Sequence, residues 1–429
     1  MLGVSERLRA RRQPVRVGII GIGSTGRGMA LQAGLTPGLA CVAIADVVLE
    51  RATRWATRLG REFVVVDRLP AMHAAIRRGK LAVCADGLLV ARCELLDVVI
   101  EATNSVAAGG AHAVAALAHH KHLVMMNYEA DLMFGPYLLR AARRAGVVYS
   151  ACDGDQPTVI RRLAVELEFM GFQVVMAGNI KGFLDRYATP DSIIAEADRR
   201  GLDYRMCASF TDGTKLAVEM AVVANALGAR AAVPGMFGPR MAHVREAFDH
   251  FDFAALWRDR QPVVDYVLGA RPKGGVFVVA YSDDPVQRDY LSWFPSELGP
   301  GPFYLFDRPY HLSHIESMAT VAAAVLDGVA VLQPWRGFQT NVYAYAKRDL
   351  AIGTVLDGVG GFACYGLLEN CADQAASPGL PVCLADHVTL TRPRRKDERI
   401  LLADVSYDPQ RADFVLFGQA VQAAARGHR

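Results

Sequence analysis

The sequence predicts an α/β fold built on a doubly wound parallel sheet, and three observations lead to it. Short β-branched runs alternate with helical patterns over residues 15–151, as is typical of βαβ units. A glycine-rich turn follows the first strand, and an aspartate ends the second. The length of 429 residues exceeds one ordinary core, so we expect two or three domains.

The strands of the first domain are short apolar runs between turn residues. They are predicted at 15–20, 40–45, 80–84, 97–102, 122–126 and 147–151. Helical patterns separate them, among them those after Met29 and Asp46 and those over 107–117 and 132–144. We therefore place the first domain at residues 1–155.

The pattern changes after residue 155. A helix at 156–170 and a strand at 173–177 come first, and 232–302 is irregular and rich in Gly, Pro and aromatics. We expect a central α+β domain over 156–308, followed at 309–328 by a helix that packs back on the first domain.

Two further segments complete the predicted organisation. Residues 331–410 consist of short β-prone pieces between Gly, Pro and Asp, which indicates a small irregular β domain. Residues 411–429 are expected to be a C-terminal tail.

Composition excludes several classes of protein. Apolar residues at 52% and charged residues at 21% exclude a disordered chain. No signal peptide and no apolar run long enough to cross a membrane is visible, and the net charge of +3 is too dispersed for a nucleic-acid surface. Eight scattered cysteines indicate a reduced, cytoplasmic protein without disulfides, and no Cys/His set predicts a metal site.

The glycine-rich turn is the clearest functional motif. Gly21-x-Gly23-x-x-Gly26 follows a strand and opens a helix. Gly21 would allow the tight turn, Gly23 the approach of a pyrophosphate, and Gly26 close packing of helix on sheet. Ser24 and Thr25 lie at the start of that helix, whose free N–H groups face the phosphates. A Rossmann-type dinucleotide site is the prediction.

The residues at and after the end of the second strand bear on the choice between NAD and NADP. Asp46 lies twenty residues after Gly26, where an acid hydrogen-bonds the ribose 2′-OH of NAD. Arg51 and Arg54 follow within two turns, and they are placed to meet the 2′-phosphate of NADP instead. The choice between NAD and NADP stays open at this point.

Three polar residues follow the later strands of the sheet. Thr103 and Asn104 come after the strand at 97–102, and Asn127 follows the strand at 122–126. Ligands bind outside the carboxyl ends of such strands, so these residues are expected at the nicotinamide end. Capping of the strand ends is the alternative.

A group of charged residues marks the candidate chemical site. Asp212, Lys215 and Glu219 are spaced i, i+3, i+7 in apolar company, which puts them on one helix face. A lysine between carboxylates can transfer the proton that accompanies hydride transfer, although a structural ion-pair chain is the alternative. Lys181, past a strand end between glycines, is the second basic candidate.

A second polar cluster opens the returning helix. Tyr310, His311, His314 and Glu316 are interpreted as substrate-binding residues, with packing or capping as the alternative. The two histidines lack a visible third metal ligand.

Taken in order, the motifs GIGSTGRG, DVVIEATNS, MNYEAD, GNIKGF, TDGTKLAVEMAVVANALG, YLFDRPYHLSHIES and GLPVCLADHVTL resemble a known family. The chain is similar, over about residues 14–406, to homoserine-dehydrogenase-like oxidoreductases that end in a SAF domain. The resemblance implies a central catalytic and dimerisation domain and a SAF-like β-clip at 331–410. It also implies a homodimer or higher homo-oligomer.

One branch of that family works as a deoxyxylulose-phosphate reductoisomerase-like enzyme, which makes methylerythritol phosphate with NADPH for isoprenoid precursors. The pair Asp212 and Lys215 resembles the Asp and Lys of true homoserine dehydrogenases, in which the Lys is catalytic. The spacing from Asp to Lys is three residues in this chain and four in the true homoserine dehydrogenases. This chain also has Asn127-Tyr128 where those enzymes have Asn-Lys.

The sequence thus predicts an NAD(P)-dependent oxidoreductase that reduces a small polar carbonyl compound. Lys215, tuned by Asp212 and Glu219, would be the main acid/base, and Lys181 would assist. A reductoisomerase-like or related sugar-phosphate or polyol reductase is the first choice. A homoserine dehydrogenase-type enzyme acting on an amino-acid semialdehyde and a non-catalytic dinucleotide sensor are the alternatives.

Overall fold

The computed structural model describes residues 3–426. The strands are β1 Val15–Ile20, β2 Leu39–Ala45, β3 Phe63–Val65, β4 Leu81–Cys84, β5 Val98–Glu101, β6 His122–Met125, β7 Tyr149–Ala151, β8 Gln173–Lys181, β9 Arg230–Ala231, β10 Val263–Leu268, β11 Val276–Tyr281, β12 Phe303–Arg308, β13 Thr340–Ala346, β14 Val355–Asp357, β15 Cys364–Asn370, β16 Asp386–Leu390 and β17 Val405–Ser406.

The helices are α1 Val4–Arg9, α2 Ser24–Leu35, α3 Leu49–Arg58, α4 Leu69–Arg77, α5 Gly87–Ala91, α6 Val106–Ala118, α7 Tyr128–Ala145, α8 Gln156–Phe169, α9 Ile194–Arg200, α10 Tyr204–Asp212, α11 Thr214–Leu227, α12 Ala247–His250, α13 Phe253–Leu256, α14 Pro285–Leu291, α15 Pro295–Leu298, α16 Ser313–Glu316, α17 Met318–Asp327 and α18 Ala412–Ala425.

The first sheet confirms the predicted doubly wound α/β fold. Its seven strands run in the order β3-β4-β2-β1-β5-β6-β7, and every neighbouring pair is parallel. Helices cover both faces, so Val17 and Ile19 of β1 enter one core while Ile20 enters the other. Burial on both faces explains the nearly continuous apolar runs. The short strand β3 was not predicted.

Two elements return to this sheet from later in the chain. The predicted returning helix is present as α17, which packs on β6, β7 and α2. The expected tail at 411–429 is wrong for its described part, because α18 packs on α7 and α6. Phe417 of α18 meets Phe338 at a ring-centroid distance of 5.9 Å, which helps to fix the helix there. Residues 427–429 lie outside the described residues.

The second sheet has the order β12-β11-β8-β10-β9 and mixes parallel and antiparallel pairs. The expectation of an irregular segment at 232–302 is therefore wrong, since β10 and β11 lie within it. Helices α8 and α11 cover one face, and Met241, Phe251 and Trp257 help to cover the other. Both strands are buried on both sides, so they lack the alternation that would have indicated them.

Residues 340–406, called here the C-terminal β region, form an antiparallel pair β13/β15 and a three-stranded sheet β14-β16-β17. The region docks on α11, because Gly366 N–H donates to Thr214 Oγ1 at 2.8 Å. Asn225 Oδ1, near the other end of α11, accepts from the amides of Gln339 and Thr340.

All eight cysteines are free, as predicted, and seven of them are buried. No helix within residues 3–426 is both long and apolar enough to cross a membrane.

Candidate active site

One cleft of about 1310 Å³ runs from the glycine loop to the N-terminal half of α11. It lies at the carboxyl ends of β1, β2, β5 and β6, where parallel sheets bind ligands. The ionisable residues that line it are Arg27, Asp46, Arg51, Arg54, Arg58, Asp86, His112, Glu129, Asp155, Lys181, Arg200, Asp203, Lys215, Glu219 and His311.

The glycine loop has the geometry of a phosphate cradle. Gly21 has φ +94°, and a Cβ there would lie 2.6 Å from the carbonyl oxygen of Ala102. A Cβ on Gly26 would meet the oxygen of Gly21 at 1.8 Å, so the helix can approach the turn only without a side chain. Gly23 has nothing within 4 Å of its Cβ position, which leaves open space before the first amides of α2. Ser24 and Thr25, which also line the cleft, begin that helix.

Asp46 already has its carboxylate oxygens engaged. Oδ2 accepts from the amide of Ile22 and Oδ1 from that of Val48, each at 2.9 Å. Arg51 donates to both oxygens at 3.2 and 3.3 Å, while its side chain keeps 53% exposure. Arg54 and Arg58 follow on the same face of α3, so three guanidinium groups line this end of the cleft.

The three polar residues predicted at the nicotinamide end all line the cleft. Asn127 Oδ1 caps α7 at the amide of Ala130, and its Nδ2 donates to the carbonyl of Ser105 at 2.9 Å. Thr103 Oγ1 donates to buried Glu101 at 2.5 Å. Asn104 is exposed and so keeps its side chain available. Asn127 thus caps helix α7, and it also lies on the cleft wall.

Lys215 forms a buried ion pair that was not predicted. Its Nζ lies 3.1 Å from both carboxylate oxygens of Glu129, in the first turn of α7, and 5.3 Å from the ring centre of Tyr128. Burial lowers the pKa of Lys215, but the carboxylates of Glu129, Glu219 and Asp155 outweigh it, and the net pKa is raised. Lys215 is therefore an ammonium ion at neutral pH.

Glu219 lies one turn further along α11 on the same cleft wall. Burial, followed by the charge of Asp155, raises the pKa of Glu219 to about 8, against the attraction of Lys181 and Lys215. Asn179 Nδ2 donates to its Oε2 at 3.4 Å. The cleft therefore favours the protonated form of this side chain, which can donate a hydrogen bond.

The predicted stripe of Asp212, Lys215 and Glu219 on one helix is wrong. Helix α10 ends at Asp212, and Gly213, with φ +87°, turns the chain into α11. Asp212 Oδ1 accepts from the amide of Thr214, and Oδ2 pairs with Lys347 Nζ at 2.8 Å. Asp212 lies outside the cleft lining and contacts the C-terminal β region instead.

Lys181, the last residue of β8, lies on the cleft wall as expected. Its Nζ is 6.0 Å from the ring centre of Phe210. It makes no ion pair with any residue that the structure describes, so its charge remains available to a ligand.

Of the four residues predicted to bind substrate after β12, only His311 lines the cleft. His311 lines the cleft, with Nδ1 on the carbonyl of Gly274 at 2.8 Å and Nε2 3.9 Å from Asp155 Oδ1. Since a carbonyl only accepts, Nδ1 carries a proton and Nε2 faces the cleft. Asp155 caps α8 at the amide of Gln156 and accepts from Ser313 Oγ at 3.2 Å.

The other three members of that cluster do not line the cleft, so their predicted substrate role is not supported by their positions. Tyr310 is half exposed and packs under Arg308. His314 lies against Gly28 of α2. Glu316 pairs with Arg308 and with Arg162 and thereby fastens the chain to α8. Helix α16 begins after His311, so the two histidines are not on one helix face.

Glu129 is an acidic residue of the cleft that the sequence interpretation missed. Glu129 follows Asn127 in the motif MNYEAD, directly after a strand end that was already assigned to the cleft. Among residues 3–426, no group of three or more His, Cys, Asp or Glu is arranged to hold a metal ion.

Comparison with known proteins finds a similarity to one family in the centre of the chain. Residues 154–317 match the family model described as "Oxidoreductase DRL, catalytic domain". This segment, which holds Lys181, Lys215 and Glu219, is similar to an oxidoreductase catalytic domain. No curated protein matches the chain.

Several solved structures are similar to this chain at low identity. A probable dehydrogenase from Thermotoga maritima has 13% identity and a TM-score of 0.42, over 74% of this chain and 90% of that one. GenD2 from gentamicin A biosynthesis, in complex with NAD, has 17% identity and a TM-score of 0.40, and the similarity covers 75% of this chain and 89% of that one. A 1-deoxy-D-xylulose 5-phosphate reductoisomerase from Zymomonas mobilis, in complex with NADPH, has 16% identity and a TM-score of 0.35. That similarity covers 48% of this chain and 57% of the reductoisomerase chain.

Proposed function

We propose that the protein is an NADP-dependent oxidoreductase that reduces a small hydroxylated carbonyl compound. The observation that carries the proposal is the continuous cleft, which joins the glycine loop to the buried pair of Lys215 and Glu129. A dinucleotide sensor would need the loop but no buried ammonium ion at the far end of the same cleft. The match of residues 154–317 to an oxidoreductase catalytic domain supports the same reading.

The residues present fit a nicotinamide dinucleotide. The open space at Gly23 and the free amides of α2 suit its pyrophosphate, and Thr103, Asn104 and Asn127 suit its nicotinamide end. When bound, the cofactor supplies the hydride. This chain's part is to hold the carbonyl group, exclude water and deliver one proton to the carbonyl oxygen.

Lys215 is the proposed proton donor. Its ammonium group lies in the cleft, held by Glu129 through two contacts of 3.1 Å. As the carbonyl carbon accepts the hydride, the oxygen takes a proton from Nζ, and an alcohol and a neutral amine result. Glu219, in its protonated form, would hydrogen-bond the substrate and help to restore the proton. His311 and Asp155 would orient the substrate's hydroxyl groups.

NADP is proposed over NAD. The carboxylate of Asp46 is engaged by two amides and by Arg51, so little acceptor capacity remains for a ribose hydroxyl group. The guanidinium groups of Arg51, Arg54 and Arg58 face the cleft, and guanidinium groups bind phosphates well. The arginines thus support NADP in the choice that the sequence left open.

A reductoisomerase-like reaction on deoxyxylulose phosphate is the substrate proposal. The match to the DRL catalytic domain favours it, and Lys181 offers an unpaired cation for the substrate phosphate. A phosphate-free polyol would leave Lys181 without an evident partner.

The test measures consumption of NADPH and of NADH with deoxyxylulose phosphate and with aspartate semialdehyde. We expect turnover with NADPH and the sugar phosphate. We also expect Lys215→Ala to abolish turnover while NADPH still binds, as measured by quenching of protein fluorescence. Full activity in Lys215→Ala would refute the assignment of the lysine, and NADPH binding without turnover on any carbonyl compound would favour a sensor.

A further inference from the structure

We propose that the C-terminal β region positions the active-site lysine, through a buried ion pair between Lys347 and Asp212 that fixes the start of α11. The inference rests on the proposed function of Lys215. On this proposal, residues 340–406 contribute to the reaction by holding the active-site lysine in place, and they need not bind a ligand themselves.

The ion pair is enclosed. The side chain of Lys347 is 3% exposed and that of Asp212 is 0% exposed, and the two charged groups are 2.8 Å apart. Lys347 Nζ also donates to the carbonyls of Ala188 and Gly361, at 2.5 and 2.7 Å. Two hydrogen bonds and the ion pair of its ammonium group therefore join the C-terminal β region, the loop after β8 and the end of α10.

Asp212 carries this connection to α11. Its second oxygen accepts from the amide of Thr214, the first residue of α11, at 2.8 Å. The residue between them is Gly213 in the left-handed conformation, a flexible point at which the direction of α11 would otherwise be weakly defined. Lys215 is the second residue of that helix, so its Nζ moves with the first turn.

A second contact supports the same turn from the same region. Thr214 Oγ1 accepts from the amide of Gly366 in β15 at 2.8 Å, and a Cβ on Gly366 would lie 3.0 Å from Thr214 Cγ2. The first turn of α11 is thus held on one side by β15 and on the other by Asp212. Catalytic groups lose efficiency steeply when displaced by about 1 Å, so this support bears on the rate.

The test compares Lys347→Met and Asp212→Asn with Lys121→Met. Asparagine is the milder change, because it retains an oxygen for the Thr214 amide. Lys121 is a matched control, since it is another buried lysine whose Nζ donates to carbonyls, those of Glu94 and Leu96 in the segment between α5 and β5. Two quantities are measured: steady-state kinetics, and the rate at which acetic anhydride modifies Lys215 in the folded protein, read by peptide mass spectrometry.

Both test variants are expected to lower kcat by about 10- to 100-fold with little change in the KM for NADPH. Modification of Lys215 should be about tenfold faster, because the first turn of α11 opens more often. Lys121→Met should change neither quantity. Unchanged kcat and labelling in folded Asp212→Asn would overturn the proposal, and so would an equal effect in Lys121→Met. The labelling needs no substrate, so it tests this proposal even if the proposed reaction proves wrong.

Discussion

Replacing Glu219 by glutamine should make the protein more stable at neutral and alkaline pH while lowering its activity. The Glu219 carboxyl group ionises in the unfolded chain near its ordinary pKa of 4.5, but in the folded cleft near 8. Between these values the unfolded state binds fewer protons than the folded state, so stability falls as pH rises. Glutamine has the shape of the protonated acid and cannot ionise, so the variant escapes that loss.

The magnitude follows from the two pKa values. Each pH unit between them changes the free energy of unfolding of the wild type by 1.36 kcal/mol. The free energy of unfolding of the variant therefore exceeds that of the wild type by near zero at pH 4.5, about 3 kcal/mol at pH 7 and about 5 kcal/mol above pH 8. Water that enters the cleft would reduce these values, which makes them upper limits.

The assay is urea unfolding, followed by circular dichroism at pH 5, 6, 7, 8 and 9. The control is Glu166→Gln, the same substitution at an exposed position of α8, which should show no such dependence. A difference in the free energy of unfolding between Glu219→Gln and wild type that stays constant from pH 5 to 9 would refute the raised pKa of Glu219. Activity should fall in the same variant, because the site gives up stability for its chemistry.

Three further predictions address the cleft. Gly23→Ala should weaken NADPH binding about tenfold or more without loss of stability, because its Cβ occupies only the space proposed for the pyrophosphate; Gly34→Ala, also unobstructed and within the helix that follows Gly23, should leave binding unchanged. Arg51→Ala and Arg54→Ala should each raise the KM for NADPH about tenfold or more and that for NADH little, and equal effects would contradict a 2′-phosphate site. Lys181→Ala should raise the KM for a phosphorylated substrate and spare its unphosphorylated analogue, whereas a pure loss of kcat would make it an acid/base instead.

The parts of the fold that depend on neighbouring residues could be predicted. The glycine loop needs a strand, a turn and a helix that are adjacent in the chain, and the parallel strands of the first sheet are distinct apolar runs. The same reasoning missed β10 and β11, because both faces of these strands are buried and the intervening glycines and prolines suggested irregular structure.

The charge pairs could not be predicted, because they join distant parts of the chain. Lys215 and Glu129 are 86 residues apart, and the partner of Asp212 lies in the C-terminal β region. Helical spacing suggested that Asp212 served Lys215, but one glycine in the left-handed conformation separates the two helices. Periodicity shows which residues share a face only while the helix is unbroken.

The placement of α18 has a practical consequence for anyone who shortens the chain. The C-terminal β region is flanked by α17 and α18, and both helices pack on the first domain. It is therefore tethered at both ends like an insertion and is not an appendage that can simply be cut off. A truncation that removes it also strips α18 from the apolar side of α7. An internal deletion that joins α17 to α18 through a short linker would keep that cover and isolate the contribution of the β region.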